Sequence, residues 1–281
     1  MKFVGVVVAY NPTKEIYHCI DSYLPFLKKL YVVDNSNVDH REMFLKYSNV
    51  EYVPNLENLG IAKALNIGAE HALNDKADWL LTMDQDSVFE SDNLKKLIDF
   101  VKICDIKKVG LVSPWHVTKE HKEKSNDDVE KVVEVMTSGN FVNLRAWKKV
   151  GGWKDWFFID CVDIEFCMNL NIHHYDVLRY NLSLLHHNLG NIELHHLLGK
   201  EFACTNHNYL RQYYMIRNMY YLEELYKDMF PDKIHSMKRG AFGRFKNILV
   251  WEKDKYRKIR NMYRGYRDYK KRIKGKYPYS N

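Results

Sequence analysis

Short β-branched segments alternate with helical patterns through the first part of the chain, and this alternation limits the fold more than any other feature. Repeated βαβ units form a mainly parallel sheet, and their right-handed crossovers bring the carboxyl ends of the strands to one edge. Ligands bind at that edge where the order of the strands reverses. The predicted strands are residues 3–9, 30–34, 50–53 and 78–83, and the predicted helices between them are residues 14–28, 38–47 and 60–74.

Three of these strands end in polar clusters. They are Tyr10-Asn11-Pro12, Asp34-Asn35-Ser36 and Asp84-Gln85-Asp86. A polar loop can serve solvation alone, but three such loops at one edge predict a binding site. Further along the chain we predict helices at 91–104, 144–150, 160–170 and 200–226, and extended segments at 109–117, 131–137 and 175–185.

The composition excludes several classes of protein. The 281 residues are 46% hydrophobic and 28% charged, which is typical of a soluble globular protein with a sizeable core. The apolar opening is too short for a signal peptide, and no run approaches the roughly 18 apolar residues of a membrane-spanning helix. The five cysteines include no CxxC pair, so neither a disulfide framework nor a zinc ribbon is indicated. We therefore expect a cytoplasmic protein.

The charge is distributed unevenly along the chain. Residues 232–281 contain 17 Lys or Arg and 4 Asp or Glu, a net charge of +13, whereas the whole chain carries +7. The change follows Met229-Phe230-Pro231, where the proline ends the preceding helix. We therefore predict a main domain at 1–226 and a basic helical tail at 227–281.

Aromatic and aliphatic residues are interleaved with the basic residues of the tail between positions 239 and 276, at spacings of three and four. This pattern predicts an amphipathic basic helix, which gains roughly 1 kcal/mol per Lys or Arg beside an anionic membrane. We expect the tail to hold the protein at the inner face of the cell membrane. The alternatives are a solvated helix and a nucleic-acid-binding stripe. We predict no nucleic-acid partner, because the acidic clusters would then have no purpose.

Asp84 and Asp86 stand two residues apart just after a predicted strand. In an extended backbone, such side chains point the same way. Two adjacent carboxylates repel one another unless a cation lies between or beside them. A few carboxylate ligands, with phosphate oxygens and water in the remaining positions, are typical of Mg²⁺ or Mn²⁺ sites. The pair therefore predicts a divalent metal.

Segments spread over about residues 3–222 occur in the order seen in a known family. The segments are 8–12, 32–36, 58–62 with Asn66 and Gly68, 81–87, 138–140, 151–153, 157–165, 186–190 and 217–218. Together they resemble the inverting family 2 glycosyltransferases of GT-A fold. The Asp-Gln-Asp-Ser sequence and the Asp-x-x-Asp-x-Glu block favour the rhamnosyltransferase-like branch. The resemblance implies a Rossmann-like nucleotide-sugar-binding domain with a mainly parallel sheet at 1–226, followed by the helical basic extension.

The resemblance implies a nucleotide-sugar donor bound at the sheet edge. Tyr10 and Asn11 resemble the nucleotide cradle, and Asp34 resembles the carboxylate that accepts the N3–H of uracil or thymine. Gly60 can equally be a helix-start glycine. The residues that correspond to the segment beside the base and ribose are Asn58, Gly60 and Lys63.

The metal ligands also follow from the resemblance. Asp86 resembles the direct ligand of Mg²⁺ or Mn²⁺, and Asp84 lies nearer the ribose or reaches the metal through water. His187 resembles the histidine that completes the metal shell, although His186 is an equal neighbour. Arg217 resembles a phosphate-binding residue, with a helix-surface salt bridge as the alternative.

The Asp-x-x-Asp-x-Glu block implies the general base. Asp163 resembles the carboxylate that takes the proton of the acceptor hydroxyl, and Asp160 is its rival. In the family an acid precedes this base, whereas Val162 stands there in this chain. Trp153 and Trp156 are expected, with Asp160, to bind the acceptor sugar, although burial in the core is an equal interpretation for the tryptophan after Gly-Gly.

The implied function is inverting, metal-dependent transfer of a sugar to a hydroxyl of a bacterial surface glycan. The expected donor is dTDP-L-rhamnose, with UDP-galactofuranose or UDP-galactose as alternatives, and the acceptor is expected to be lipid-linked. A metal-dependent nucleotidyltransferase is the alternative enzyme. It would need a glycine-rich or basic phosphate loop where Tyr10-Asn11-Pro12 stands. A homodimer remains open.

Overall fold

The computed structural model describes residues 1–117, 127–186, 193–197 and 200–279. This part of the chain has a mixed α/β architecture that divides into two units. Unit 1 consists of residues 1–155 and 163–188, and unit 2 consists of residues 156–162 and 189–281. Within the described ranges, no helix is both long enough and apolar enough to cross a membrane.

Unit 1 is built on one large sheet. Its strands are β1 (Phe3–Ala9), β2 (Leu30–Asp34), β3 (Val50–Pro54), β4 (Trp79–Asp84), β5 (Val109–Val117), β6 (Val129–Lys131), β7 (Asn140–Asn143) and β8 (Asp176–His186), in the order β3-β2-β1-β4-β7-β5-β8-β6. Strands β1 to β4 are parallel, β7 is antiparallel to both of its neighbours, and β5 is parallel to β8. The chain order reverses at β1, which lies between β2 and β4, so the predicted α/β fold is confirmed.

The helices between residues 1 and 188 are α1 (Ile16–Tyr23), α2 (Ile61–Asn74), α3 (Asn93–Ile103), α4 (Leu144–Val150) and α5 (Val162–Ile172). The prediction at 14–28 is too long, because Pro25 ends α1 in a 3-10 turn. The helix predicted at 38–47 is wrong, since that segment forms a 3-10 turn, Arg41–Phe44. There the side chain of Asp39 accepts the amide of Arg41 at 2.7 Å, a local bond that competes with helix formation.

Apolar packing holds the central strands to the helices. Val4, Val6 and Val7 of β1 are fully buried, as is Trp79 of β4. Helix α2 approaches β1 so closely that a Cβ at Gly68 would lie 2.3 Å from Val6 Cγ2. This contact packs the middle of α2 directly on β1.

Unit 2 contains the hairpin strands β9 (Glu193–Leu197) and β10 (Lys200–Cys204), followed by α6 (Tyr209–Tyr226), α7 (Pro231–Val250) and α8 (Lys255–Lys270). The helix predicted at 200–226 begins later, because residues 200–204 pair as a strand and Asn208 caps α6 by accepting the amide of Arg211 at 3.0 Å. Pro231 was predicted to end the preceding helix, but α6 already ends at Tyr226 and Pro231 stands at the start of α7.

Helix α8 packs tightly on α6. A Cβ at Gly265 would lie 2.4 Å from the carbonyl oxygen of Tyr213, so glycine is required for the helices to approach. The fully buried Asp268 accepts the hydroxyl of Tyr213 at 2.9 Å. These contacts join the basic segment to α6, and the division between units therefore precedes α6, whereas the sequence prediction put the boundary after residue 226.

Candidate functional site

The loops after β1 and β4 are bonded to one another where the strand order reverses. The Gln85 side chain accepts the amide of Tyr10 at 2.9 Å and donates to the Tyr10 carbonyl at 3.2 Å. The middle residue of the Asp-Gln-Asp turn therefore fastens the first loop to the fourth strand. Asn11, whose φ is +46°, donates its amide to Ser36 Oγ at 2.7 Å, which adds the loop after β2. The three polar clusters predicted from the sequence do converge.

The loop after β3 joins the same edge. Asn58 accepts the amide of Gly60 at 3.0 Å, and the Gly60 carbonyl accepts from the side chain of Asn35 at 3.1 Å. Gly60 has a φ of +87°, which favours glycine, and it directly precedes α2. Lys63 in the first turn of α2 pairs with Asp155 at 3.2 Å, and both side chains are exposed.

Asp34, the predicted partner of a base N3–H, is buried, with 1% of its surface exposed. One carboxylate oxygen accepts the amide and the hydroxyl of Ser36, at 2.9 and 2.5 Å. The other lies 2.8 Å from His40 Nδ1 and accepts the hydroxyl of Tyr52 at 2.9 Å. Burial, together with the bond to Asp34, raises the pKa of Tyr52 to about 12. Asp34 therefore fixes the loop after β2, and a base contact would require one of these bonds to break.

The Asp-Gln-Asp turn is held by residues of β5 and of the segment before β7. Asp84, which is partly exposed, donates its amide to Ser138 Oγ at 3.0 Å, and His116 Nε2 donates to the Ser138 carbonyl at 2.7 Å. Asp86 is exposed. Burial is the main cause that raises the pKa of the Cys19 thiol to about 11, and the negative charge of Asp86 is the second. Asp86 thus presents its carboxylate at the surface of the sheet edge.

The two carboxylates of the turn suit a divalent metal. Within the described ranges, no group of three or more His, Cys, Asp and Glu side chains is arranged to hold a metal ion. The predicted ligand His187 lies outside the described residues. Its neighbour His186 exchanges backbone hydrogen bonds of 3.2 and 3.3 Å with Val88, two residues beyond Asp86. Mg²⁺ and Mn²⁺ bind a few carboxylate ligands together with phosphate oxygens and water. The carboxylates of Asp84 and Asp86 therefore fit either ion.

A pocket of about 340 Å³ opens in unit 1. Its volume falls in the range of small-ligand sites, roughly 300–1,000 Å³. The polar groups in its wall are His116, Glu134, Asp163 and Arg179, and Trp115 lies beside them. The Arg179 guanidinium stacks 4.7 Å from the centre of the Trp115 ring. The pocket therefore offers the stacked Arg179 and Trp115 side chains, a histidine and carboxylates to a small polar ligand.

Asp163 stands in the first turn of α5, where the helix dipole favours a carboxylate. Its Oδ1 accepts the amide of Ile164 at 2.9 Å, and the residue lines the pocket. Glu165, two positions later, is buried and pairs with Lys154 at 2.7 Å. The pocket is also tied to the Asp-Gln-Asp turn, because His116 both lines it and binds Ser138.

Asp160 has different surroundings in unit 2. Its carboxylate accepts from two nitrogens of Arg211, one of them at 3.3 Å, and its side chain is 6% exposed. Its carbonyl accepts from the side chain of Asn218 at 2.9 Å. This bidentate pair favours a structural role for Asp160 over the role of rival base.

Arg217 is fully buried on α6. Its guanidinium donates to the carbonyls of Trp156 and Phe157, each at 3.2 Å, and to that of Gly275 at 2.5 Å. These bonds hold two distant backbone segments of unit 2 together. They favour a structural role for Arg217 over the predicted phosphate contact.

The two tryptophans expected to bind an acceptor are used in packing. Trp153 is 4% exposed and its ring centre lies 4.6 Å from that of Phe166. Trp156 stacks on Phe157 at 4.2 Å, and Lys274 Nζ lies 4.3 Å from its ring centre. Sequence reasoning missed the aromatic residue of the pocket, Trp115.

The other pocket residues that were missed are His116, Glu134 and Arg179. One signal was available, because His116 and Arg179 are ionisable side chains within the predicted extended segments 109–117 and 175–185. The missed pocket residues come from β5, β8 and the segment before β7, so no local sequence pattern connects them.

Comparison with known proteins agrees with this geometry. A family model described as glycosyl transferase family 2 matches residues 6–116. The dTDP-rhamnosyl transferase RfbF of Shigella flexneri is 28% identical over 250 residues, which cover 78% of each chain. The solved structure of GalNAc-T7 with UDP, GalNAc and Mn²⁺ matches 86% of this chain and 51% of that one, with a TM-score of 0.63 and 13% identity. S. aureus TarS matches 90% of this chain and 44% of that one, with a TM-score of 0.58 and 15% identity. The chain therefore spans about half the length of these solved structures, and its fold is GT-A.

Proposed function

We propose that this chain, a glycosyltransferase with a family 2 domain and the GT-A fold, transfers a sugar from a nucleotide diphosphate sugar to a hydroxyl with inversion at the anomeric carbon. The observation that carries the proposal is the position of Asp163 in the wall of the pocket, with His116 linking that wall to the Asp-Gln-Asp turn. An acceptor hydroxyl and a donor can thereby be held in one unit.

Asp163 acts as the general base. The acceptor sugar occupies the pocket, where Trp115 and the polar side chains around it hold the ring. Asp163 removes the hydroxyl proton as the acceptor oxygen attacks the anomeric carbon. The bond from that carbon to the diphosphate breaks on the opposite face, and the diphosphate leaves with the electron pair. A single displacement of this kind inverts the configuration.

The sheet edge holds the donor. Tyr10 and Asn11 hold the nucleotide, with Asn58, Gly60 and Lys63 beside the base and ribose. Asp34 shapes the loop after β2 at this edge, and it accepts the base N3–H when one of its present hydrogen bonds opens. Asp86, with Asp84, would bind Mg²⁺ or Mn²⁺, and that metal when bound neutralises charge on the departing diphosphate.

The donor we propose is dTDP-L-rhamnose, with UDP-galactofuranose or UDP-galactose as the alternative. Support comes from the Shigella relative, which is named as a dTDP-rhamnosyl transferase. The acceptor is a hydroxyl of a bacterial surface glycan that is carried on a lipid at the inner face of the cell membrane. Support for this location comes from exposed basic and apolar side chains on α7.

Thermal unfolding with a panel of nucleotide sugars and Mn²⁺ tests the proposal. We expect dTDP-L-rhamnose to raise the melting temperature more than the UDP-sugars do, because a ligand that binds the folded state stabilises it. A CDP-sugar is the control, since cytosine has no N3–H to donate to Asp34. NMR of the product should then show the inverted anomer. The proposal fails if no nucleotide sugar protects the chain or if the configuration is retained.

A further inference from the structure

Ionisable side chains converge in unit 2 at the start of α6. His207 precedes the helix, Arg211 lies in its first turn, Arg244 lies on α7 and Lys258 lies on α8. Burial, together with the charges of Arg211, Arg244 and Lys258, lowers the pKa of His207 to about 4. The three cations are therefore near enough to His207 for their charges to act on it, and the charge of Arg211 also acts on Arg244.

Two carboxylates of this cluster are already paired. Asp160 accepts two hydrogen bonds from Arg211, whose side chain remains 39% exposed. Glu252 and Lys258 form a buried ion pair at 2.6 Å. Each of these carboxylates thus has a cation of its own.

Arg244 is the remaining cation. In the part of the chain that the structure describes, its guanidinium makes no hydrogen bond or ion pair, although it is partly buried. Burial lowers its pKa, the charge of Asp160 raises it, and the charge of Arg211 lowers it again. Because a guanidinium stays protonated, a desolvated one without a carboxylate is unfavourable unless an anion joins it.

We propose that Arg244 and Arg211 bind the phosphate oxygens of a diphosphate group. Two guanidinium groups with forked donors match the oxygens of linked phosphates. His207, neutral at physiological pH, adds a hydrogen-bond donor. Binding of the diphosphate does not depend on the proposed reaction. The identity of the molecule that carries it does rest on the proposed function, because both a nucleotide-sugar donor and a lipid-linked acceptor contain this group.

Binding of inorganic pyrophosphate to the full chain is the first test, with EDTA present so that no metal contributes. We expect Arg244→Gln to weaken binding by about ten-fold, the loss of one charge-assisted hydrogen bond. Arg239→Gln is the matched control, since Arg239 is an exposed arginine on the same helix. Without ligand, Arg244→Gln should melt at the wild-type temperature or above, because it removes a charge that has no partner.

The NMR titration of His207 gives a second readout. A bound diphosphate supplies negative charge beside the imidazole, so the pKa of His207 should rise on addition of pyrophosphate in the wild type. In Arg244→Gln the pKa starts higher, because the charge of Arg244 is one of those that lower it, and it should not change on addition of pyrophosphate. If Arg244→Gln fails to fold, Arg244→Lys keeps the charge without the fork and takes its place. Equal pyrophosphate affinity in the variant and the wild type, or no pyrophosphate binding at all, would overturn the proposal.

Three diphosphates identify the source of the group. We would measure dTDP, UDP and farnesyl diphosphate, again with EDTA. Weaker binding of the nucleotides by Arg244→Gln assigns the site to the donor, and weaker binding of farnesyl diphosphate assigns it to a lipid-linked acceptor. If the variant binds all three as the wild type does, the site is not a diphosphate site. Sugar transfer to a soluble acceptor is measured separately, so failure of this proposal leaves the proposed function intact.

Discussion

The carboxylates of the candidate site differ in what surrounds them. Asp34 is buried and both of its oxygens have hydrogen-bond partners, and Asp160 is held by Arg211. Asp86 is exposed at the sheet edge, and Asp163 lines the pocket. This contrast separates residues that shape the site from residues that can reach a ligand.

Removal of the exposed carboxylate should weaken metal-dependent donor binding. We expect Asp86→Ala to lower the affinity for a nucleotide sugar in the presence of Mn²⁺ by at least about ten-fold. Substitution of a residue that only supports a metal ligand already lowers metal affinity by this much. Calorimetry with Mn²⁺ and with EDTA measures the effect. Glu57→Ala is the control, since Glu57 is an exposed carboxylate in the loop after β3. Unchanged Mn²⁺ dependence in Asp86→Ala would show that this residue does not bind the metal.

The burial and contacts of single residues were harder to predict from the sequence than their correspondence to the motifs of the family. Asp163 was chosen from the sequence, and the structure gives it a place in the pocket wall. Arg217 and Trp153 were expected to contact ligands, yet both are buried. Whether a side chain is buried depends on partners distant in sequence, such as Gly275 for Arg217, and no local pattern reveals them.

Elements with a clear hydrophobic period were predicted well. Strands β1, β2 and β4 agree with the sequence within a residue at each end, because apolar β-branched runs bounded by polar loops are a strong signal. The segments 38–47 and 200–208 were assigned to helices and formed other structure. In the first, a side-chain bond from Asp39 replaces the helical one. In the second, the cap at Asn208 and strand pairing decide where α6 begins.

Helix α7 presents a face suited to an anionic membrane. Phe242, Leu249 and Val250 are 60%, 46% and 56% exposed. Arg239 and Lys246 are exposed on the same helix, and Lys246 Nζ lies 4.4 Å from the centre of the Phe242 ring. Apolar side chains that insert, with basic ones that pair with lipid phosphates, are typical of interfacial helices.

Substitutions on this face should weaken binding to anionic vesicles. We expect Lys246→Gln to weaken it about five-fold, since each basic residue contributes roughly 1 kcal/mol, and Phe242→Ser to weaken it as well. Leu45→Ser is the control, because Leu45 is an exposed apolar residue of unit 1. Co-sedimentation with phosphatidylglycerol and phosphatidylcholine vesicles, at low and high salt, measures the binding.

Equal pelleting with both lipids, or pelleting with neither, would remove the membrane role. Point substitutions are needed here because truncation before Arg239 would also remove α8. That deletion would expose the face of α6 that packs on Gly265 and take away the Gly275 carbonyl bound by Arg217.

For the molecule as a whole, the sequence predicted the α/β class, the convergence of the polar loops and a helical basic C-terminal segment. It did not predict that this segment shares a unit with α6. The contacts responsible, such as Asp268 with Tyr213, join residues far apart in the chain. The pocket was missed for the same reason, since Trp115, Glu134 and Arg179 meet only once β5 and β8 have paired.

In the proposed reaction, Asp163 takes the proton of the acceptor hydroxyl. The measurement that tests it most directly is the rate of sugar transfer by Asp163→Asn at saturating donor, compared with Asp160→Asn. We predict that Asp163→Asn binds the donor as the wild type does and turns over about 100-fold more slowly or worse, the scale expected for a lost general base. Asp160→Asn should retain most of the turnover, because its carboxylate pairs with Arg211. Near-normal transfer by Asp163→Asn together with an inactive Asp160→Asn would show that Asp163 is not the general base.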